Sequence, residues 1–129
     1  MLNYLHTMIR VSDLKKSLHF YSEGLGFKMV KREDHEKDRF SLVFLSADPG
    51  TPNEPLLELT HNWDTHHYEK GTGYGHMAYA VSSIDEVQKK LQANGYQLSW
   101  GPGMTPSGTK KMAFVDDPDG YEIELLEAP

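Results

Sequence analysis

The sequence predicts an α+β fold in which one order of elements, strand–helix–strand–strand–strand, is used twice. Three observations carry that prediction. Short strand-like runs outnumber helical stripes and are punctuated by Gly, Pro and Asp turns. Each of the two helical stripes follows directly on a strand-like run that opens with histidine. The chain also repeats itself at an offset of about seventy residues, and such self-similarity outranks any local assignment.

The first half opens with a strand over residues 5–11. Ser12 or Asp13 is the expected N-cap of a helix whose apolar stripe is Leu14, Leu18, Tyr21 and Leu25, with Gly24 and Gly26 as stop signals. Strands are expected over Phe27–Val30, Phe40–Leu45 and Leu56–Thr60, with Asp48-Pro49-Gly50-Thr51-Pro52-Asn53 as a loop. The second half repeats the order. A strand over 76–81 leads to Ser83-x-x-Glu86, a capping box, and to the stripe Ile84, Val87, Leu91, which Gly95 ends. Strands are expected over Tyr96–Trp100, Lys111–Asp116 and Tyr121–Leu126, the last two joined by the turn Asp117-Pro118-Asp119-Gly120. His6 aligns with His76, Gly26-Phe27 with Gly95-Tyr96, Phe44 with Phe114, and Asp48-Pro49 with Asp117-Pro118. The surplus of the first half falls in the Gly50–Pro55 loop. The chain thus reads as a single domain over 1–129: repeat 1 (about 1–62), a connector (about 63–74) and repeat 2 (about 75–129).

Strand alternation then picks out four residues. His6 shares a face of the first strand with Met8 and Arg10. Glu58 shares a face with Thr60 and Asn62, opposite Leu57 and Leu59. Glu124 opposes Ile123 and Leu125, and His76 opens its own strand. A carboxylate in an apolar strand is costly to bury without compensation. Two imidazoles and two carboxylates at equivalent repeat positions suit one divalent ion with room for a substrate. If the sheets curl into a trough, all four meet inside it. A lone strand histidine is more often structural than a ligand; the double occurrence is what favours a metal here. His19, His35, His61, His66 and His67 fall on helix, loop or connector. Glu122 reads as an exposed edge residue, and Lys110-Lys111 as surface.

Composition limits the alternatives. With 38% hydrophobic and 25% charged residues the chain has the balance of a soluble globular domain. No apolar run approaches the roughly 20 residues of a membrane span. Met1 leads straight into a strand-like segment, so no signal peptide is expected, and the absence of cysteine fits a cytoplasmic protein. A net charge of −6 without a basic block argues against nucleic acid as a partner, while leaving a small anionic ligand open.

These residues resemble a known family. His6-Thr7-Met8-Ile9-Arg10-Val11, followed by Ser17, Phe20-Tyr21 and Leu25-Gly26-Phe27, resembles the N-terminal signature of the glyoxalase I (lactoylglutathione lyase) family. Gly71-Thr72-Gly73-Tyr74-Gly75-His76 is similar to its second signature, and Asp117-Pro118-Asp119-Gly120-Tyr121-Glu122-Ile123-Glu124 to its C-terminal metal strand. Single motifs recur across the wider vicinal oxygen chelate (VOC) superfamily; the four-ligand set with Leu59-Thr60-x-Asn62 is more specific. Two departures stand out: Met77 replaces a branched residue, and Thr72 sits where some members carry an arginine that binds the glycyl carboxylate.

The resemblance implies the glyoxalase/bleomycin resistance/dioxygenase fold, two βαβββ modules with curled mixed sheets. It implies a homodimer whose metal sites each take His6 and Glu58 from one subunit and His76 and Glu124 from the other. The implied reaction is isomerisation of the methylglyoxal–glutathione hemithioacetal to S-lactoylglutathione, by an enediolate-type proton transfer. Glu124 is then the base, with Glu58 as the alternative. Arg10 and Asn62 match positions that hold the γ-glutamyl end of glutathione, and Gly108 and Thr109, with Lys110 nearby, match a loop that meets the substrate. The short chain leans toward nickel, with cobalt next and zinc less favoured. Two rivals remain at this stage. One is another VOC metalloenzyme, such as a dioxygenase, epimerase or thiol transferase; the fourth ligand, Glu58, counts against it. The other is a non-enzymatic resistance module that binds a small molecule; it would lack the ligands.

Overall fold

The computed structural model describes residues 1–128, and its element order follows the internal repeat. Strand β1 (His6–Arg10) leads into a short helix α1 (Leu14–Leu18), then β2 (Lys28–His35), β3 (Phe40–Ser46) and β4 (Leu56–Asn62). Strand β5 (His76–Val81), helix α2 (Ile84–Ala93), β6 (Trp100–Met104), β7 (Lys111–Asp116) and β8 (Glu122–Glu127) form the second set. Each set makes a four-stranded mixed sheet, β1-β4-β3-β2 and β5-β8-β7-β6, in which only β1–β4 and β5–β8 are parallel. The expected α+β architecture is therefore present.

The helix starts follow their caps. Asp13 accepts from the Lys16 amide at 3.1 Å, and Ser83 from the Glu86 amide at 3.2 Å. The return arm of the capping box is not made, since the Glu86 carboxylate turns toward Lys89, 3.7 Å away. After one turn, α1 widens into a π-helical segment, His19–Gly24, which carries Phe20 and Tyr21 into the core. Gly24 lets this segment approach α2 closely: a Cβ there would lie 3.3 Å from the side chains of Leu91 and Tyr96.

One apolar core joins the two sets. It gathers Ile9, Leu57 and Leu59 of the first sheet, Ile123 and Leu125 of the second, and Phe20, Tyr21, Ile84 and Leu91 of the helices. The β7–β8 turn is tied back to the first set. Asp117 is buried and accepts from the Tyr21 hydroxyl at 2.7 Å and from the Asp119 and Tyr121 amides. Asp119 accepts from the Ser12 hydroxyl at 2.5 Å, and the Tyr121 hydroxyl donates to the Arg10 carbonyl at 2.8 Å. Burial pushes the Asp117 carboxyl above its ordinary range, against the pull of the Tyr21 hydrogen bond, and burial beside Asp117 raises Tyr21 well above 10.

Two strands differ from expectation. β2 runs on to His35, because Lys31, Arg32, Glu33 and Asp34 lie on an edge strand with solvent on one side. β6 begins at Trp100, not Tyr96; Tyr96 instead packs edge-on against Phe20, with ring centroids 5.0 Å apart.

Removing the Tyr21 hydroxyl leaves a buried carboxylate short of a donor. Tyr21→Phe is expected to lower unfolding stability by about 1–3 kcal/mol, read as a lower urea midpoint at unchanged slope.

Candidate metal centre

Parallel pairing sets the geometry of the candidate ligands. β1 and β4 are in register with His6 opposite Leu56 and Met8 opposite Glu58. Side chains two apart share a face, so His6 and Glu58 lie on neighbouring strands, on the face away from the helices. Their Nε2 and Oε1 atoms are 2.9 Å apart. In the second sheet His76 lies opposite Glu122 and Ala78 opposite Glu124, which gives the same diagonal. There Nε2 and Oε1 are 3.7 Å apart. An edge-on phenyl ring supports each imidazole: Phe44 at 5.7 Å from His6 and Phe114 at 5.5 Å from His76. Phe44 and Phe114 stand in register with Glu58 and Glu124. The two half-sites thus repeat the same placement of His, Glu and Phe.

The halves do not meet within one chain. Among the described residues, no three His, Asp or Glu side chains converge as an ion's ligand set. The trough expected to hold all four is, in a single chain, two separate His/Glu pairs. Both carboxylates are sheltered, with side chains only 12% and 18% exposed for Glu58 and Glu124. Among the described residues neither pairs with a lysine or arginine. A sheltered carboxylate facing an imidazole, with no cation of its own, fits a donor set for a divalent ion.

The other predicted residues flank this face. Arg10 is exposed two positions beyond Met8. Asn62 ends β4 and donates to the Tyr68 hydroxyl at 3.0 Å. Thr60 lies between, its hydroxyl 3.5 Å from Glu58. Gly108 and Thr109 sit in the β6–β7 loop; Gly108 takes φ +70° and the Thr109 hydroxyl is 2.7 Å from that of Ser107. Lys110 is exposed in the same loop, whereas Lys111 is occupied with Asp85 at 3.0 Å.

Two features were not legible in the sequence. A cavity of about 490 Å³ lies on the same face of the second sheet, walled by Trp100, Met104, Pro106, Met112 and Phe114. Trp100 lies across Gly103, where a Cβ would come within 2.5 Å of the indole. Glu122 also turns toward His76, with 3.8 Å between Oε1 and Nδ1. Its period-2 spacing from Glu124 was the available signal.

The whole arrangement has known relatives. Residues 3–125 match the family model of the Glyoxalase/Bleomycin resistance protein/Dioxygenase superfamily. The lactoylglutathione lyase of Escherichia coli O157:H7 is 43% identical over 123 residues, 95% of this chain and 90% of that protein. The trypanothione-dependent glyoxalase I of Leishmania major superposes with a TM-score of 0.81 at 39% identity, covering 98% of this chain and 87% of that one. Glyoxalase I from Zea mays superposes with a TM-score of 0.91 at 31% identity; this chain, covered to 98%, spans 44% of the maize chain. With the repeated sheets, the half-sites and these relatives in agreement, the chain belongs to the Glyoxalase/Bleomycin resistance protein/Dioxygenase superfamily.

Proposed function

We propose that this chain is a metal-dependent lactoylglutathione lyase. It converts the hemithioacetal of methylglyoxal and glutathione to S-lactoylglutathione, and so detoxifies methylglyoxal. The observation that carries the reading is the pair of matched His/Glu half-sites, sheltered and without cations, in a chain 43% identical to a lactoylglutathione lyase.

His6, Glu58, His76 and Glu124 hold one divalent ion per site. Nickel is the favoured ion, cobalt is next and zinc third; nitrogen and oxygen donors accept all three. The ion, when bound, supplies Lewis-acid stabilisation for negative charge growing on the substrate oxygens. Glu124 takes the proton from the carbon that bears sulfur and hydroxyl, and returns it to the neighbouring carbonyl carbon. The hydroxyl proton passes to the adjacent oxygen, so the product is an isomeric thioester. Glu58 is the alternative base. Arg10 and Asn62 hold the γ-glutamyl end of the substrate, and the loop at Gly108 and Thr109 meets it from the other side. The functional unit is a homodimer in the cytoplasm, each site taking the first half-site from one subunit and the second from its partner. Each subunit acts as one domain, repeat 1 to about residue 62 and repeat 2 from about 75. Among the described residues no helix is long and apolar enough to cross a membrane.

Three outcomes test this. Chelation is expected to abolish isomerase activity, and nickel to restore it better than zinc; equal or greater recovery with zinc overturns the metal class. Mixing inactive His6→Ala and Glu124→Ala chains is expected to restore about a quarter to a half of the activity, because one site of each mixed dimer carries both defects and the other carries none. Mixtures that stay inactive after verified subunit exchange sink the shared site. Glu124→Gln is expected to retain metal but lose ~10²–10⁴-fold in turnover. Arg10→Ala instead raises KM, since it removes a charge-assisted contact far from the reacting carbon. Near-full turnover in metal-loaded Glu124→Gln would move the base to Glu58.

A further inference from the structure

The two half-sites differ at the register position opposite each histidine, where the difference is one of charge. The residue opposite His6 on β4 is Leu56, which has no hydrogen-bonding group in its side chain. The residue opposite His76 on β8 is Glu122. Its carboxylate stands at the ring nitrogen that faces away from Glu124: Oε1 of Glu122 is 3.8 Å from Nδ1, and Oε1 of Glu124 is 3.7 Å from Nε2. One imidazole therefore lies between two carboxylates, one at each nitrogen.

The Glu122 side chain is 49% exposed, so water reaches one side of its carboxylate. Its far side borders the apolar cavity walled by Trp100, Met104, Met112 and Phe114, and among the described residues it pairs with no lysine or arginine. Asp116 is its register partner on β7 and carries the same sign. At 3.8 Å the pair is too long for a hydrogen bond, but among the described residues the imidazole is the one basic side chain beside Glu122, and a small rotation of either side chain brings Nδ1–H within reach of the carboxylate. Accepting the Nδ1 proton fixes the tautomer that leaves the Nε2 lone pair pointing at Glu124.

We infer that Glu122 is a positioning residue for His76: it accepts the Nδ1–H and holds Nε2 toward the ion, a support that His6 lacks. The inference rests on the metal reading of the site. It predicts unequal halves, with His76 the pre-oriented ligand and His6 the one that settles on binding.

The test compares full-length Glu122→Ala and Glu122→Gln proteins with wild type and with Glu86→Ala, an exposed carboxylate on α2. Nickel and zinc affinities are measured by competition with a chromophoric chelator. Glu122→Ala is expected to weaken binding roughly ten- to a hundredfold. Glu122→Gln keeps an acceptor oxygen without the charge and is expected to recover most of that loss, and Glu86→Ala to leave affinity unchanged. In the zinc-loaded wild type, nitrogen-correlated NMR of His76 is expected to show a protonated Nδ1 and a metal-bound Nε2. Glu122→Ala affinity equal to wild type, or Gln as weak as Ala, overturns the positioning role; the second result would mean that only charge matters. Wild-type protein that takes up neither ion overturns the metal reading itself, and this inference with it.

Discussion

The parallel pairing of each repeat's first and last strands is the constraint on which the site rests. A parallel pair needs a crossover, and here the crossover contains a helix and two further strands. The helix covers one face of the sheet, so Ile9, Leu57, Leu59, Ile123 and Leu125 turn to it and are buried. Strand alternation leaves the opposite face to His6, Glu58, His76 and Glu124. Register does the rest, since a two-residue stagger across the pair brings a histidine from the start of a repeat beside a glutamate from its end. Residues some fifty positions apart in the chain become neighbours without any loop having to place them. A one-residue slip would put the carboxylates into the core and the leucines on the ligand face, so the core enforces the register that the chemistry needs.

Most of this was legible because it is periodic. The repeat order, the capped helix starts and the facing of all four candidate ligands came from alternation and spacing, and the sheets agree with them. Misplaced elements are those where periodicity is weak. The outer part of β2 is a run of charges, which reads as loop until an edge strand is known to lie there. β6 contains Gly101, Pro102 and Gly103, residues that ordinarily break strands, and the better-patterned Tyr96–Ser99 stretch attracted the assignment. The π-helical segment has no distinct signature, because a stripe at helical spacing fits both windings. Within the site the pairing of each His with its Glu was legible, while the separation of the two pairs was not. Distance between sheets is a tertiary quantity. The approach of Glu122 to His76 was also hidden, since period 2 gives its face but not its distance from His76.

The open faces follow from the same economy of alternation. A strand has two faces, and this chain uses one set for a core that joins both repeats. The other set is left with Met8 at 37%, Trp100 at 49% and Met104 at 54% exposure beside sheltered Glu58 and Glu124 and partly exposed imidazoles. Covering those apolar groups favours association. Bringing the carboxylates of two half-sites together without a cation opposes it, because like charges in a drying cleft repel. Under the proposed function, in which two subunits complete each site, a divalent ion would reconcile the two tendencies by offsetting the repulsion between the half-sites. On this reading the ion is a structural linker as well as a chemical agent, and its binding and the completion of the site are a single equilibrium.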